Sequence, residues 1–217
     1  MYSNVAYRGY AVPGRTQTLF GQTMGLVALT AAFFAAGAYG GRNLGQGAVT
    51  VSWIAAFVIL LFMRFAARRS PTAATVLLVI FGALMGAASS PTLVFYAQTQ
   101  PTILWQAGGA TALFVGAFGT FGYLTKRDLS AWRRISFIGL LLLLLFGIVA
   151  IFVRIPHGQM IYAVLGLVIF AGLTAADFQR LRRSQNLDSA PLLAASIFLD
   201  ILNIFMFFLR IFAGRRN

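Results

Sequence analysis

The acidic residues are the first candidates for chemistry, because this chain of 217 residues has only four of them, and all are aspartates. Asp200 lies inside the stretch IFLDILNIFMFFLR, residues 197–210, which has the composition of a membrane-spanning helix. An aspartate at the centre of such a helix costs about 2.5–3.5 kcal/mol on insertion scales. A carboxylate of that cost usually has a partner and a function, so Asp200 marks a candidate site.

A second aspartate falls near the first. Asp177 ends an apolar stretch in the segment GLTAADFQRLRR, and the next apolar stretch contains Asp200. Two antiparallel helices joined by a short loop place both carboxylates at a similar depth. Ser196, Asp200 and Asn203 are spaced i, i+4, i+7, which puts them on one face of a helix whose other faces are apolar. We expect this face to point into a helix bundle, with Ser196 and Asn203 lining a pore.

An arginine belongs to the same group. Arg64, in ILLFMRFAARR, ends an apolar stretch on the same side of the membrane as Asp177 and the start of the helix with Asp200. The topology therefore predicts a cluster of Asp177, Asp200 and Arg64 in one leaflet. Two alternatives remain open from the residues alone: Arg64 extends to lipid headgroups, and Asp177 forms a surface pair with Arg180.

The remaining polar residues predict no catalytic site. Asp128 is interpreted as a solvated loop charge, and either Asp188 or Ser189 as the cap of the last helix ahead of Pro191. The only histidine is His157, there is no cysteine, and no HExxH motif occurs. Neither a zinc site nor a hydrolytic triad can be assembled from this set. We therefore expect no enzyme activity and no tightly bound cofactor.

Composition identifies the elements that must position these residues. Hydrophobic residues make up 59% of the chain and charged residues 10%, with a mean hydropathy of +0.83, whereas soluble domains are about 25% charged. The net charge of +13 raises the question of nucleic acid binding. The basic residues fall between apolar runs, however, which is typical of membrane-protein loops, so we expect a lipid bilayer and no nucleic acid as partner.

The sequence predicts an all-α polytopic membrane protein with seven spans. A cytoplasmic N-terminal segment (residues 1–18) precedes a single transmembrane domain (19–213) and a short tail (214–217). Short connections leave no room for a soluble domain. The spans are Leu19–Tyr39, Val49–Phe65, Ala73–Tyr96, Ile103–Tyr123, Ile135–Val153, Met160–Ala176 and Pro191–Phe212.

Loop charges predict the orientation. Twelve basic residues fall on the side of the N-terminus and five on the other, so the positive-inside rule places the N-terminus in the cytoplasm and the C-terminus outside. Three arginines near the C-terminus count against the second placement. The lack of a signal peptide suits a bacterial inner membrane. The twelve are Arg8, Arg15, Arg64, Arg68, Arg69, Lys126, Arg127, Arg133, Arg134, Arg180, Arg182 and Arg183.

Small residues recur at helical spacing and predict close helix packing rather than a ligand site. Pro91 is expected to kink or break the third helix, with Ser89 and Ser90 available to bond freed carbonyl groups. The small-residue pairs and series are Gly21 and Gly25, Gly82 and Gly86, and Gly108, Ala112 and Gly116.

Two segments near the C-terminus resemble the closing signature of the transmembrane Bax inhibitor motif family. AADFQRL matches the family's pattern of aspartate, glutamine and an aliphatic residue, and FLDILNIFMFFLR matches its LYLD-x-x-N-x-F-x-x-L-L-R pattern. The KRDLS segment, residues 126–130, also resembles a family loop. The resemblance is specific over about the last forty residues.

This resemblance implies a fold in which six helices surround the C-terminal one. It further implies a calcium leak in which Asp177 and Asp200 act as a pH sensor and Arg64 as their latch. Two departures occur. Ala176 replaces the usual aromatic residue, and the second span carries no acidic residue, with Trp53 near that place. The second departure weakens the expectation of another cation site in the pore.

The mechanism expected from these residues is a switch. Two carboxylates close together in a low-dielectric bundle cannot both ionise cheaply, so they titrate as a unit. An ionised Asp177 or Asp200 would hold Arg64 and close the pore, and protonation or a competing cation would release it. Two carboxylates supply fewer oxygen ligands than the six to eight that Ca²⁺ prefers. We therefore expect weak Ca²⁺ binding and passage, for which a monomer suffices.

The residues bear differently on three other functions. A regulator that binds another membrane protein, such as a protease or a cell-death or stress factor, is compatible with the sequence. An intramembrane aspartyl protease also needs two aspartates, but those enzymes have Gly-x-Gly-Asp where this chain has Ile-Phe-Leu-Asp at residues 197–200. A proton-coupled transporter finds no support, because no inverted repeat is evident.

Overall fold

The computed structural model describes residues 14–153, 156–184 and 186–214. Within these ranges the chain forms seven long helices, each apolar enough to cross a membrane, and no strand. Helices satisfy all backbone polar groups internally, as the bilayer interior requires. The seven predicted spans are thus confirmed. The helices are α1 (Gly14–Gly40), α2 (Gln46–Arg69), α3 (Pro71–Thr99), α4 (Pro101–Leu124), α5 (Ser130–Phe152), α6 (Gly158–Arg183) and α7 (Ala190–Gly214).

The helices extend beyond most of the predicted span limits. Helix α1 begins inside the segment assigned to residues 1–18, of which residues 1–13 lie outside the described ranges. Gly214 belongs to α7, and the rest of the assigned tail, residues 215–217, also lies outside them. Only at the end of the fifth span is the helix shorter, because α5 stops at Phe152.

The C-terminal helix is the centre of the bundle. Helix α7 packs against α1, α2, α3, α4 and α6, while α5 packs mainly against α6. The main hydrophobic core is built around α7 residues such as Leu193, Ile197 and Phe198, which contact apolar side chains of α1, α2 and α3. A polar residue on a buried face of this helix, such as Asp200, is therefore held inside protein, whereas Arg210 is exposed.

Two helix pairs are packed at backbone distance. A Cβ atom on Gly82 of α3 would lie 2.7 Å from the Thr30 carbonyl oxygen of α1, and one on Gly86 would overlap the Phe34 carbonyl. On α4, a Cβ atom on Gly122 would overlap the Ala175 carbonyl of α6. Small residues are required at these places for the helices to approach.

The packing role predicted for the other glycine pairs is wrong. A Cβ atom on Gly21, Gly25, Gly108 or Gly116 would meet no atom of the described chain within 4 Å. A spacing of four residues places two glycines on one face of a helix, but it does not determine which face meets a neighbour.

Pro91 does not break α3, which continues to Thr99. The proline lacks an N–H group, so the carbonyl of Ala87 loses its helical donor. The Ser90 hydroxyl lies 2.8 Å from that carbonyl oxygen and 2.9 Å from the Gly41 carbonyl oxygen after α1. Of the two serines predicted for this role, Ser90 thus shares its one hydroxyl hydrogen between the freed carbonyl and the α1–α2 connection, whereas the Ser89 hydroxyl has no partner among the described residues.

Candidate functional site

Asp177 of α6 and Asp200 of α7 lie together inside the bundle. Their exposed fractions are 7% and 5%, and the two carboxyl groups are close enough to interact electrostatically. Asp177 precedes the end of α6 by six residues, and Ser196 follows the start of α7 by six, so the antiparallel pair brings them level. The Ser196 hydroxyl donates a hydrogen bond to Asp177 Oδ2. The fold therefore brings the two aspartates together, as the topology predicted.

Asp200 is incompletely hydrogen bonded. Its Oδ2 atom is buried and accepts no hydrogen bond from any described residue, and the Thr174 hydroxyl is likewise buried without a partner. Thr174 lies near enough to interact with the Asp200 carboxyl group, but the two do not have hydrogen-bond geometry. A buried polar atom without a partner costs about 1–3 kcal/mol. The sequence reasoning missed Thr174, although it lies one helical turn before Asp177.

Asn203 makes its hydrogen bond within its own helix. Its Nδ2 atom donates to the Leu199 carbonyl oxygen at 2.8 Å, and the side chain is half-buried. Ser196, also half-buried, lines a cavity. The pore-lining role of both residues stays a prediction.

Arg64 lines the cavity that reaches Ser196. This cavity has a volume of about 720 Å³, and its walls come from α2, α5, α6 and α7. Arg64 is exposed, and the one ion pair within the described ranges joins Arg183 to Asp128. The latch between Arg64 and the aspartates is therefore not formed in this conformation, and it stays a prediction.

Two other arginines act electrostatically on Asp177. Arg180, one turn further along α6, and Arg133, at the start of α5, are the basic residues that interact with the Asp177 carboxyl group. The surface pair considered for Asp177 and Arg180 is not formed, because Asp177 is buried and the two make no ion pair. Nothing in the sequence indicated that α5 would bring Arg133 to the site.

The end of α6 holds the α4–α5 connection in place. Gln179 is buried; its Nε2 atom donates to the Arg127 carbonyl oxygen at 2.7 Å, and its Oε1 atom accepts the Leu129 N–H at 2.9 Å. Arg182 donates to the Thr125 carbonyl oxygen at 2.7 Å. These contacts explain why a glutamine follows the aspartate in this segment, and they fix the end of α6 close to Asp177.

Asp128 is more than the solvated charge that was expected. Its carboxylate accepts hydrogen bonds from the Ser130 N–H and hydroxyl, both at 3.1 Å, and forms an ion pair with Arg183 at 2.9 Å. The Ser130 N–H, followed by Arg183, holds the pKa of Asp128 below its ordinary value of 3.8. The residue orders the turn that begins α5.

The predicted side-chain cap of α7 by Asp188 or Ser189 is not formed. The Ser189 hydroxyl donates to the Asn186 carbonyl oxygen at 2.6 Å, and neither side chain accepts an N–H of α7 within the described residues. A single 3-10 turn, Leu187–Ser189, precedes α7, and this turn is capped by Asn186, whose side chain accepts the Asp188 N–H at 2.9 Å. Asp188 lines the same cavity as Arg64.

These features define a class: a seven-helix integral membrane protein whose central C-terminal helix buries an aspartate against a second one on the preceding helix. The family model described as "Inhibitor of apoptosis-promoting Bax1" matches residues 16–217. The chain therefore belongs to the Bax inhibitor family, as its C-terminal segments indicated.

Bacterial relatives cover most of the chain. An uncharacterized membrane protein of Streptococcus pyogenes serotype M3 is 32% identical over 168 residues, which are 74% of this chain and 72% of the relative. A protein of Caulobacter vibrioides is 31% identical and covers 82% of this chain and 74% of its own length. The inner membrane protein YbhL of Escherichia coli K12 is 32% identical, over 65% of this chain and 64% of YbhL.

Proposed function

We propose that the protein is a pH-sensitive calcium-leak channel of the bacterial inner membrane, with its N-terminus in the cytoplasm. The observation that carries the proposal is the placement of Asp200, buried beside Asp177 with one oxygen that accepts no hydrogen bond from the part of the chain that the structure describes. A carboxylate in that position is suited to exchange a proton or a cation, because neither would displace an existing donor from that oxygen.

The cavity supports an approach to this pair from the end that carries most basic residues. It reaches Ser196, which bonds directly to Asp177. The charged groups that act on Asp177 are Arg180 of α6 and Arg133 of α5, and Arg64 of α2 lines the same cavity. Movement of Arg64 toward an ionised aspartate would close this route, and protonation would release it.

Ca²⁺ would pass as a weakly held ion. Within the described ranges there is no group of three or more carboxylate, histidine or cysteine side chains that could hold a metal. Asp177 and Asp200 together supply at most four oxygens, fewer than a tight calcium site needs. Ion conduction, rather than storage or peptide hydrolysis, is the function we assign to the pair.

The test is calcium flux into liposomes that contain the purified protein. We expect Ca²⁺ entry with the wild type and a reduced rate with Asp200→Asn. Asp128→Asn, which removes a carboxylate that does not line the cavity, is the matched control and should retain entry. Flux indistinguishable from that of empty liposomes would overturn the proposal.

The family description supports a second candidate, a regulator that binds another membrane protein, since it names inhibition of a partner. Purification from native membranes discriminates between the two. A channel that acts alone is isolated as a single chain and conducts, whereas a regulator retains a membrane protein in fixed ratio and needs it for its effect.

A further inference from the structure

The cavity that leads to Ser196 carries an unusual number of arginines. Four of them line it, against a single carboxylate, Asp188. The four come from three helices and surround one volume of about 720 Å³: Arg64 and Arg68 on α2, Arg133 on α5, and Arg180 on α6.

These guanidinium groups have few counter-charges. The chain has only four acidic residues. Among the described residues Asp128 pairs with Arg183, and Asp177, which interacts electrostatically with Arg133 and Arg180, bonds to Ser196. None of the four arginines forms an ion pair within the described ranges. Converging guanidinium groups with few counter-charges favour a multivalent anion, and their planar donors match phosphate oxygens.

The spacing along α2 supports a single ligand. Arg64 and Arg68 are one helical turn apart and therefore lie on the same face. Arg133 and Arg180 line the cavity from α5 and α6, and α7 also contributes to its lining. Helix α2 makes no substantial contact with α5 or α6, so the cavity is a cleft between these helices.

Apolar residues line the cleft beside the arginines, among them Leu60, Leu192 and Leu199. The four helices are long and apolar enough to span a membrane, and the four arginines lie within two turns of their helix ends. This position corresponds to the level at which the headgroups of a bilayer meet its acyl chains. Arginines beside apolar side chains between spanning helices are typical of a phospholipid headgroup site.

We propose that this cleft binds a phosphate group, carried by an anionic phospholipid of the surrounding leaflet. The bound phosphate takes Arg64 as one of its donors and so competes with Asp177 and Asp200 for that side chain. The binding site follows from the arginines alone; its effect on gating rests on the proposed channel function.

The experiment measures binding separately from conduction. The purified protein is equilibrated with vesicles of phosphatidylcholine alone or with one-fifth phosphatidylglycerol, and retained lipid is counted by native mass spectrometry. A second arm titrates inorganic phosphate in detergent. Variants Arg68→Gln and Arg133→Gln remove cleft arginines, and Arg69→Gln removes an equal charge from outside the cleft.

We expect phosphatidylglycerol to be retained. Its affinity should fall about tenfold for each cleft arginine removed, which is the factor for one charge-assisted hydrogen bond. The affinity of Arg69→Gln should equal that of the wild type. Saturable binding of inorganic phosphate with the same variant pattern, and no retained lipid, would support the site with free phosphate as its source. If Arg69→Gln loses as much affinity as the cleft variants, or if neither phosphatidylglycerol nor inorganic phosphate binds, the proposed site is wrong. Failure of calcium flux would leave these binding results unaffected.

Discussion

The Ser196 hydroxyl on the central helix donates a hydrogen bond to Asp177 on the helix before it. This contact joins the cavity to the buried aspartate pair, because Ser196 lines the cavity and Asp177 is a member of the pair. Asp177 therefore has a hydrogen-bond donor, whereas Oδ2 of Asp200 has none among the described residues.

Loss of that donor should destabilise the fold. Ser196→Ala leaves a buried carboxylate oxygen without its partner, so we expect the free energy of unfolding to fall by about 1–3 kcal/mol. Thermal unfolding in detergent measures the change. Ser196→Thr retains a hydroxyl and serves as the control. Equal stability of the alanine variant and the wild type would show that the hydrogen bond contributes nothing.

The glycines of α4 give a matched pair of substitutions. Gly122→Ala places a methyl group against the Ala175 carbonyl of α6 and should destabilise the protein by about 1–3 kcal/mol. Gly116→Ala meets no neighbour and should be neutral or stabilising by up to about 1 kcal/mol, because alanine favours the helix. The same thermal measurement applies to both. The reverse order of stabilities would contradict the packing of α4 on α6.

The serine beside Pro91 can be tested with a double-mutant cycle. Ser90→Ala removes the donor to the Ala87 carbonyl and should cost about 1 kcal/mol or more. In a Pro91→Ala background, the restored N–H supplies that donor, so the same substitution should cost less. Additive effects of the two changes would show that Ser90 does not compensate for the proline.

Asp128 predicts a pH effect in the α4–α5 connection. Its pKa is lowered by the Ser130 N–H and by Arg183, so its contacts stabilise the fold above the unfolded pKa and are lost as pH falls through the lower folded pKa. A carbon-13 NMR titration should place its midpoint below 3.8. Arg183→Gln should raise the midpoint part of the way back toward 3.8, because the hydrogen bond from the Ser130 N–H remains. A wild-type midpoint at or above 3.8 would contradict the described contacts.

The sequence was sufficient for features that depend on local composition and on chain order. Seven apolar stretches predicted seven spans, and the short loop after Asp177 predicted that it would face Asp200. It was insufficient where the answer depends on which helix faces meet. Gly21 and Gly25 have the same spacing as Gly82 and Gly86, yet only the second pair meets a neighbouring backbone. Arg133 approaches Asp177 because α5 packs on α6, a contact between residues 44 positions apart.

Calcium flux into liposomes, measured across a series of pH values, tests the buried aspartate switch most directly. We expect wild-type flux to change with pH, and the dependence to disappear in Asp177→Asn and Asp200→Asn but to persist in Asp128→Asn, whose carboxylate lies outside the cavity. Arg64→Ala should raise flux about tenfold under conditions where the wild type is closed. The substitution removes one charge-assisted hydrogen bond from the closed state, and such a bond corresponds to about a tenfold change in the equilibrium. If the three site variants show the same pH profile and rate as the wild type, Asp177, Asp200 and Arg64 do not gate the protein.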